Sequence, residues 1–278
     1  MIAPFLIMLR EGVEAALVVA IIAGYLARTG RAHALGAVWT GVGLAVALCI
    51  ALGIALELTA SELPQKIQEL FEAGVGLFAV IVLTSMVFWM GKAARSIRAT
   101  LHAGVDEAFA SGSGWRALAF LAFFAVAREG LESILFLIAA WQQMDDVGIE
   151  AFVGAVLGLA VACAIGVAFY RGGKRIDLAR FFRWTGVLIL FVAAGIAAGV
   201  VRSLHEAGLW NGLQKTVFDA SAILPADGPV GTLLSGLFGY RDAPSLGEVL
   251  VWVLYLVPAL TAFLLGSRPA PSPRVVAS

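Results

Sequence analysis

The sequence predicts an all-α polytopic membrane protein with seven transmembrane helices. Three observations carry that expectation. Of 278 residues, 61% are hydrophobic and 14% are charged, where soluble domains carry about 25% charged residues; the mean hydropathy is +0.94. Seven apolar runs come near the roughly 20 residues needed to cross the hydrocarbon core. They lie at 4–27, 34–57, 70–91, 116–141, 151–170, 183–202 and 248–267. Lys and Arg also concentrate in alternate connections. Helices are the form expected, since a barrel would read as shorter segments of alternating polarity.

The first run opens at Pro4, a residue suited to a helix's first turn. No basic n-region precedes it, so no cleavable signal peptide is expected and the N-terminus enters the membrane directly. This run contains Arg10-Glu11-Gly12-Val13-Glu14. The second is uncharged from 34 to 56, and the third from 73 to 91, just after Glu72. Residues 92–114 are basic and then Gly/Ser-rich, which reads as an interfacial segment or a linker between halves. The fourth run is interrupted by Arg128-Glu129-Gly130-Leu131-Glu132, with uncharged chain at 117–127 before it and 133–144 after it.

The fifth run is uncharged throughout 151–170; the sixth is the shortest, uncharged over 184–201. Residues 203–247 are apolar but broken by Pro, Gly and Asp, which predicts amphipathic helices lying at the outer interface. The seventh run spans 249–267 without charge. Residues 1–267 therefore read as one transmembrane domain, and 268–278, beginning Arg268-Pro269-Ala270-Pro271-Ser272-Pro273, as a disordered cytoplasmic tail.

Basic residues orient the chain. One side holds Arg28, Arg31, Lys92, Arg95, Arg98, Arg116, Arg171, Lys174, Arg175, Arg180, Arg183, Arg268 and Arg274; the other holds Lys66, Arg202, Lys215 and Arg241. By the positive-inside rule the N-terminus is outside and the C-terminus cytoplasmic. The outer connections are acidic: Glu57, Glu62, Glu69, Asp145, Asp146, Glu150, Glu206, Asp219, Asp227, Asp242 and Glu248. They read either as an ordinary solvated face or as a vestibule that collects cations. Phe88, Trp89 and Trp184 read as interface anchors, and Cys49 and Cys163 as small packing residues. Basic and acidic residues balance at 19 each, and no nucleic-acid partner is expected.

The two Arg-Glu-Gly-x-Glu pentads stand 118 residues apart, with three spans between their starts. Gly43-Leu44-Ala45-Val46-Ala47 recurs as Gly158-Leu159-Ala160-Val161-Ala162, with Cys49 and Cys163 close behind. Spans one to three (4–91) and four to six (116–202) thus read as two copies of one unit. Three spans per copy make the copies insert in opposite directions. Inverted repeats mark transporters that bind substrate at the repeat interface near the midplane.

Intramembrane ionisable residues are functional candidates by default, each costing roughly 2.5–3.5 kcal/mol on insertion scales. Glu11 and Glu14 share a helix face, as do Glu129 and Glu132, with Arg10 and Arg128 four residues before the second glutamate of each pair. Gly12 and Gly130 permit close helix approach. Together the pentads offer four carboxylates and two arginines as supporting charge. Such oxygens suit hard cations, and no Cys or His accompanies them, so copper(I) and structural zinc rank low. Glu72, about two turns into its helix, could line the approach.

Other readings of the pentads are a packing ion-pair network, a proton relay driving a non-metal solute, and an intramembrane enzyme or scaffold. No nucleophile pattern accompanies them beyond Ser133, so no enzyme activity and no permanently bound cofactor are expected.

These motifs resemble the oxidase-dependent iron transporter family, the high-affinity iron permeases, and most closely its bacterial Efe-type branch. The family's R-E-x-x-E motif in the first and fourth spans is matched by Arg10, Glu11 and Glu14 and by Arg128, Glu129 and Glu132. Phe71-Glu72-Ala73-Gly74 and the following 84–89 resemble its third span, and His205-Glu206-Ala207-Gly208 and Leu237-Phe238-Gly239-Tyr240 resemble bacterial members. The resemblance implies iron uptake across the inner membrane, with the motif glutamates binding iron. It also implies ferric iron supplied by an extracytoplasmic oxidase, here as cupredoxin-like and haem-peroxidase partners on other polypeptides. A lead-uptake branch shares the core, which leaves lead or manganese as alternative cargo. A homo-oligomer is compatible with all of this.

Overall fold

A computed structural model describes residues 2–61, 64–93, 97–110, 114–141, 149–171, 178–226 and 228–266. Nine α-helices form among the described residues: α1 (Ile2–Arg28), α2 (Leu35–Ser61), α3 (Gln65–Ala93), α4 (Ile97–Ala110), α5 (Gly114–Trp141), α6 (Ile149–Tyr170), α7 (Leu178–Glu206), α8 (Pro229–Phe238) and α9 (Leu246–Gly266). Each of the seven apolar runs coincides with a helix. By length and composition α2, α3, α6, α7 and α9 can cross a membrane. α1 and α5, at 27 and 28 residues, have the length but each carries a charged pentad. The chain is an all-helical polytopic membrane protein.

Local chemistry sets the helix ends. Gly30 takes φ 73° just past α1, and the Arg31 amide donates to the Leu26 carbonyl at 2.8 Å, satisfying a terminal acceptor. Gly208, with φ 71°, ends α7 in the same way, with the Leu209 amide on the Leu204 carbonyl. α7 therefore runs into the segment expected to be interfacial helix. Among the described residues between α7 and α9 only α8 is helical. The rest is turns that fold back on themselves through Val217–Pro244 and Ala220–Asp242 backbone bonds. The Pro and Gly that broke its apolar pattern also stop helix propagation.

Small residues decide which helices pair. On α6, Gly154, Gly158, Ala162 and Gly166 are buried at four-residue spacing, and α1 presses onto that stripe. A Cβ on Gly158 would collide with the Phe5 carbonyl, and one on Gly166 with Ala16. Residue numbers rise together along this contact, so α1 and α6 run parallel. α2 packs on α5 in the same sense, with Gly41 against Ala119 and Phe123 and with Cys49 against Gly130. α3 and α7 run antiparallel, Gly76 meeting Ile196 and Val200 while Gly186 meets Val87. α1 and α5 are also antiparallel: Ile7 shares a cluster with Phe136, and Ile22 and Leu26 share one with Leu118 and Ala122. The pentads lie between these two apolar layers.

The Gly43 and Gly158 runs are not in register. Nothing lies within 4 Å of a Cβ on Gly43, whereas Gly158 touches the α1 backbone. Shifting Phe5 and Leu9 by the pentad offset gives Phe123 and Ala127, and on α2 these are met by Ala45. The five-residue match is therefore displaced by two positions, half a helical turn, from the pairing that packs.

Residues 92–114 include a packed helix. Leu101, Val105 and Ala108 of α4 are buried with Leu26 and Leu118, because their spacing puts them on one face. Phe88 packs edge-on against Phe263, with ring centroids 6.0 Å apart, and Trp184 is exposed. Arg95, Lys174, Arg175, Glu62, Asp145, Asp146, Asp227 and the tail 268–278 lie outside the described residues.

Candidate metal site

Antiparallel crossing of α1 and α5 brings the pentads face to face. Glu11, Glu14 and Glu129 each offer a carboxylate oxygen, all within 4.8 Å of one another. Three points so confined lie no more than 4.8/√3, about 2.8 Å, from a common centre. Hard cations bind oxygen at roughly 2.0–2.6 Å, so closure by a few tenths of an ångström completes three-oxygen coordination.

Burial sharpens the arrangement. Glu11 is 1% exposed, and neither carboxylate oxygen has a protein hydrogen-bond partner. A buried carboxylate without partners is costly unless a counter-charge meets it. Arg10 is equally buried and spends its Nε on Glu14, at 3.2 Å, leaving Nη1 without an acceptor. The arginine therefore balances one carboxylate of the three.

Sequence spacing suggested four carboxylates together; the structure gathers three. Glu132 is not in that set; Arg128 Nε donates to its Oε1 at 3.1 Å, as Arg10 Nε does to Glu14. Arg128 in turn leans over Trp89, 5.6 Å from the ring centroid, which draws the pair towards α3. Trp89 was legible only as an interface anchor, since nothing in the sequence links it to a residue 39 positions away.

Glu72 is also apart. It accepts from Gln68 Nε2 at 3.2 Å and lines a crevice with Gly76, Ala139, Ile196, Val200 and Ser203. Ala139 is ten residues beyond Glu129, about 15 Å along α5. Glu72 thus lies at a different level of the helix bundle from the three glutamates. Of the outer acids, Glu150, Glu206 and Asp219 are exposed, but Glu248 is 9% exposed and accepts from Ser245 Oγ at 3.1 Å.

Gly12 and Gly130 do permit close contact, though with α6 and α2. A Cβ on Gly12 would stand 2.8 Å from Ala162 Cβ, and one on Gly130 2.5 Å from Cys49 Sγ. Cys49 is thus a packing partner of the second pentad.

Residues 1–270 match the iron permease FTR1 family. The chain belongs to that family. Iron permeases of the FTR1 family are transporters, so the protein is a permease and no enzyme. "Ferrous iron permease EfeU" of Escherichia coli O6:K15:H31 (strain 536 / UPEC) is 56% identical over 270 residues, 96% of this chain and 97% of that protein. The protein of the same name from Shigella sonnei (strain Ss046) is 56% identical with the same coverage. That of Yersinia pestis is 52% identical over 280 residues, 100% of this chain and 98% of its own. No solved structure matches the chain.

Proposed function

We propose that this protein is an inner-membrane permease that carries iron into the cytoplasm, binding it between Glu11, Glu14 and Glu129. The observation that carries the reading is the fully buried, unpartnered Glu11 carboxylate held within 4.8 Å of two others. The relatives' names, which specify iron, favour that cargo over lead, manganese or a non-metal solute.

The permease is a single domain of seven spans, with α1 and α5 completing the set and the N-terminus outside. Parallel α1/α6 and α2/α5 pairs support it, because with that topology each pair must point the same way. Reciprocal packing, each pentad helix on the second helix of the other unit, supports an inverted repeat. Iron enters past the outer acids and Glu72 and reaches the three glutamates. One repeat then moves against the other to release it inward. Glu132, 18% exposed beside Arg128, is the next carboxylate along the way.

Periplasmic cupredoxin-like and haem-peroxidase proteins deliver the iron, as the resemblance implies. An all-oxygen site suits ferric iron, while the relatives are named for ferrous iron. Uptake into proteoliposomes with ascorbate, against uptake with an oxidant, separates the two. Radiolabelled iron uptake by Glu11→Gln, Glu14→Gln and Glu129→Gln tests the site. The reading predicts a loss of at least tenfold in each, and undiminished uptake in all three overturns it.

A further inference from the structure

The two pentads make one internal bond in two different settings. In each, arginine Nε donates to the glutamate four residues on, at 3.2 Å from Arg10 to Glu14 and 3.1 Å from Arg128 to Glu132. Yet the Arg10 side chain is 2% exposed and that of Arg128 is 58% exposed. Identical local sequence cannot produce that difference. Arg128 lies on the exposed face of α5 that also carries Phe124 and Leu131, and its guanidinium carbon sits 5.6 Å from the Trp89 ring centroid. A guanidinium at mid-span does not face hydrocarbon but turns to water or a partner group; here the partners are Glu132 and the Trp89 ring.

Helix direction places the arginines on opposite sides of the acid cluster. Each arginine precedes its own glutamates in the chain, and α1 and α5 are antiparallel. Arg10 therefore caps the Glu11–Glu14–Glu129 cluster on one side and Arg128 flanks it on the other. Trp89, near the C-terminal end of α3, stands on the Arg128 side.

We propose that Trp89 is a positioning residue that parks the Arg128 guanidinium away from the acid cluster, opening the inner side for release while Arg10 keeps the outer side shut. This inference rests on the permease reading above. In the opposite phase of the cycle, Arg128, still bonded to Glu132, leaves the Trp89 ring and closes over Glu129, and Arg10 is freed. An aromatic face holds a cation without fixing it by a directional bond, which suits a charge that must be released in every cycle.

The test uses the full chain in proteoliposomes, with radiolabelled iron uptake and iron binding in detergent measured on the same preparations. Trp89→Leu is expected to slow initial uptake about two- to five-fold, the range for a half-exposed cation–π contact, with iron affinity unchanged. Trp89→Phe, which keeps a ring, should retain most of the rate. Arg128→Lys, which stacks less well, should slow uptake alone but add nothing in a Trp89→Leu background. Full-rate uptake in Trp89→Leu, equal losses in the Leu and Phe variants, additive effects in the double variant, or parallel loss of binding would each overturn the proposal. Failure of the permease reading looks different, since then Glu129→Gln would not alter uptake. If Trp89→Leu does not fold, Arg128→Lys at wild-type rate refutes the proposal by itself.

Discussion

Replacing Gly12 by alanine is the substitution for which helix propensity and packing disagree in sign. Alanine is favoured over glycine within a helix by about 0.8–1.0 kcal/mol. In this structure the added Cβ would stand 2.8 Å from Ala162 Cβ and 3.3 Å from Leu159 Cδ1. Carbon atoms prefer about 3.5–4.0 Å, so α1 and α6 must part by roughly 0.7–1.2 Å. A methyl on the α6 helix cannot swing aside. Overpacking of this kind costs roughly 1–3 kcal/mol, which leaves a net loss of up to about 2 kcal/mol after propensity is credited.

The displacement also carries Glu11, the neighbouring residue, by a comparable distance. A shift of that size disturbs three oxygens confined within 4.8 Å of one another, against a cation–oxygen reach of roughly 2.0–2.6 Å. Iron uptake in proteoliposomes should fall at least tenfold, with an earlier thermal transition in detergent. Ala162→Gly in the same chain should restore both. Gly24→Ala is the control, because its nearest neighbour would be Arg28 Nη2 at 3.8 Å; it should be neutral or stabilising. Wild-type uptake and melting in Gly12→Ala, or no rescue by Ala162→Gly, would refute the close-packing argument.

The second pentad should behave alike: Gly130→Ala impairs uptake, and Cys49→Ala, which removes the Sγ that a Cβ would meet at 2.5 Å, rescues it. Because Glu72 shares its crevice with Ala139, about 15 Å along α5 from Glu129, Glu72→Gln should slow uptake at low iron by a few-fold, leaving saturating rates intact, whereas Glu129→Gln abolishes both; matching effects would contradict the separation of levels. Asp106 on α4 is held below the usual carboxylate range, first by the Tyr25 hydroxyl donating at 2.7 Å and then by Arg31 at 3.0 Å. A depressed folded value means that this contribution is present above the unfolded value of about 3.9 and lost as pH falls through the folded one. Thermal melts below about pH 4 should therefore drop more steeply in wild type than in Asp106→Asn, and identical acid limbs would sink the assignment.

Much of this architecture could be read from charge placement. Uncharged stretches such as 34–56 and 151–170 became α2 and α6, since lipid leaves the backbone no alternative to helix. The pentads stood out because three ionisable groups in an apolar run are costly in lipid. The partners of those pentads were hidden. Which helix Gly12 meets depends on the Gly154–Gly158–Ala162–Gly166 stripe, and small residues are too common in membrane helices to single out one stripe. The Gly43–Ala47 match shows the hazard, being identical in sequence to Gly158–Ala162 yet two positions out of packing register. That Glu132 lies outside the Glu11–Glu14–Glu129 set and that Arg128 leans over Trp89 are tertiary facts that helical spacing cannot anticipate. Segment 203–247 was apolar enough to suggest interfacial helices; it forms one short helix, α8, and elsewhere folds back on itself through turns.

The central claim is that one cation sits among Glu11, Glu14 and Glu129, and anomalous diffraction at the iron edge from iron-soaked crystals tests it most directly. The account predicts a single strong peak within about 2.6 Å of an oxygen from each of the three glutamates, lost in Glu11→Gln. A peak confined to the Glu72 crevice, or none between α1 and α5, would contradict it.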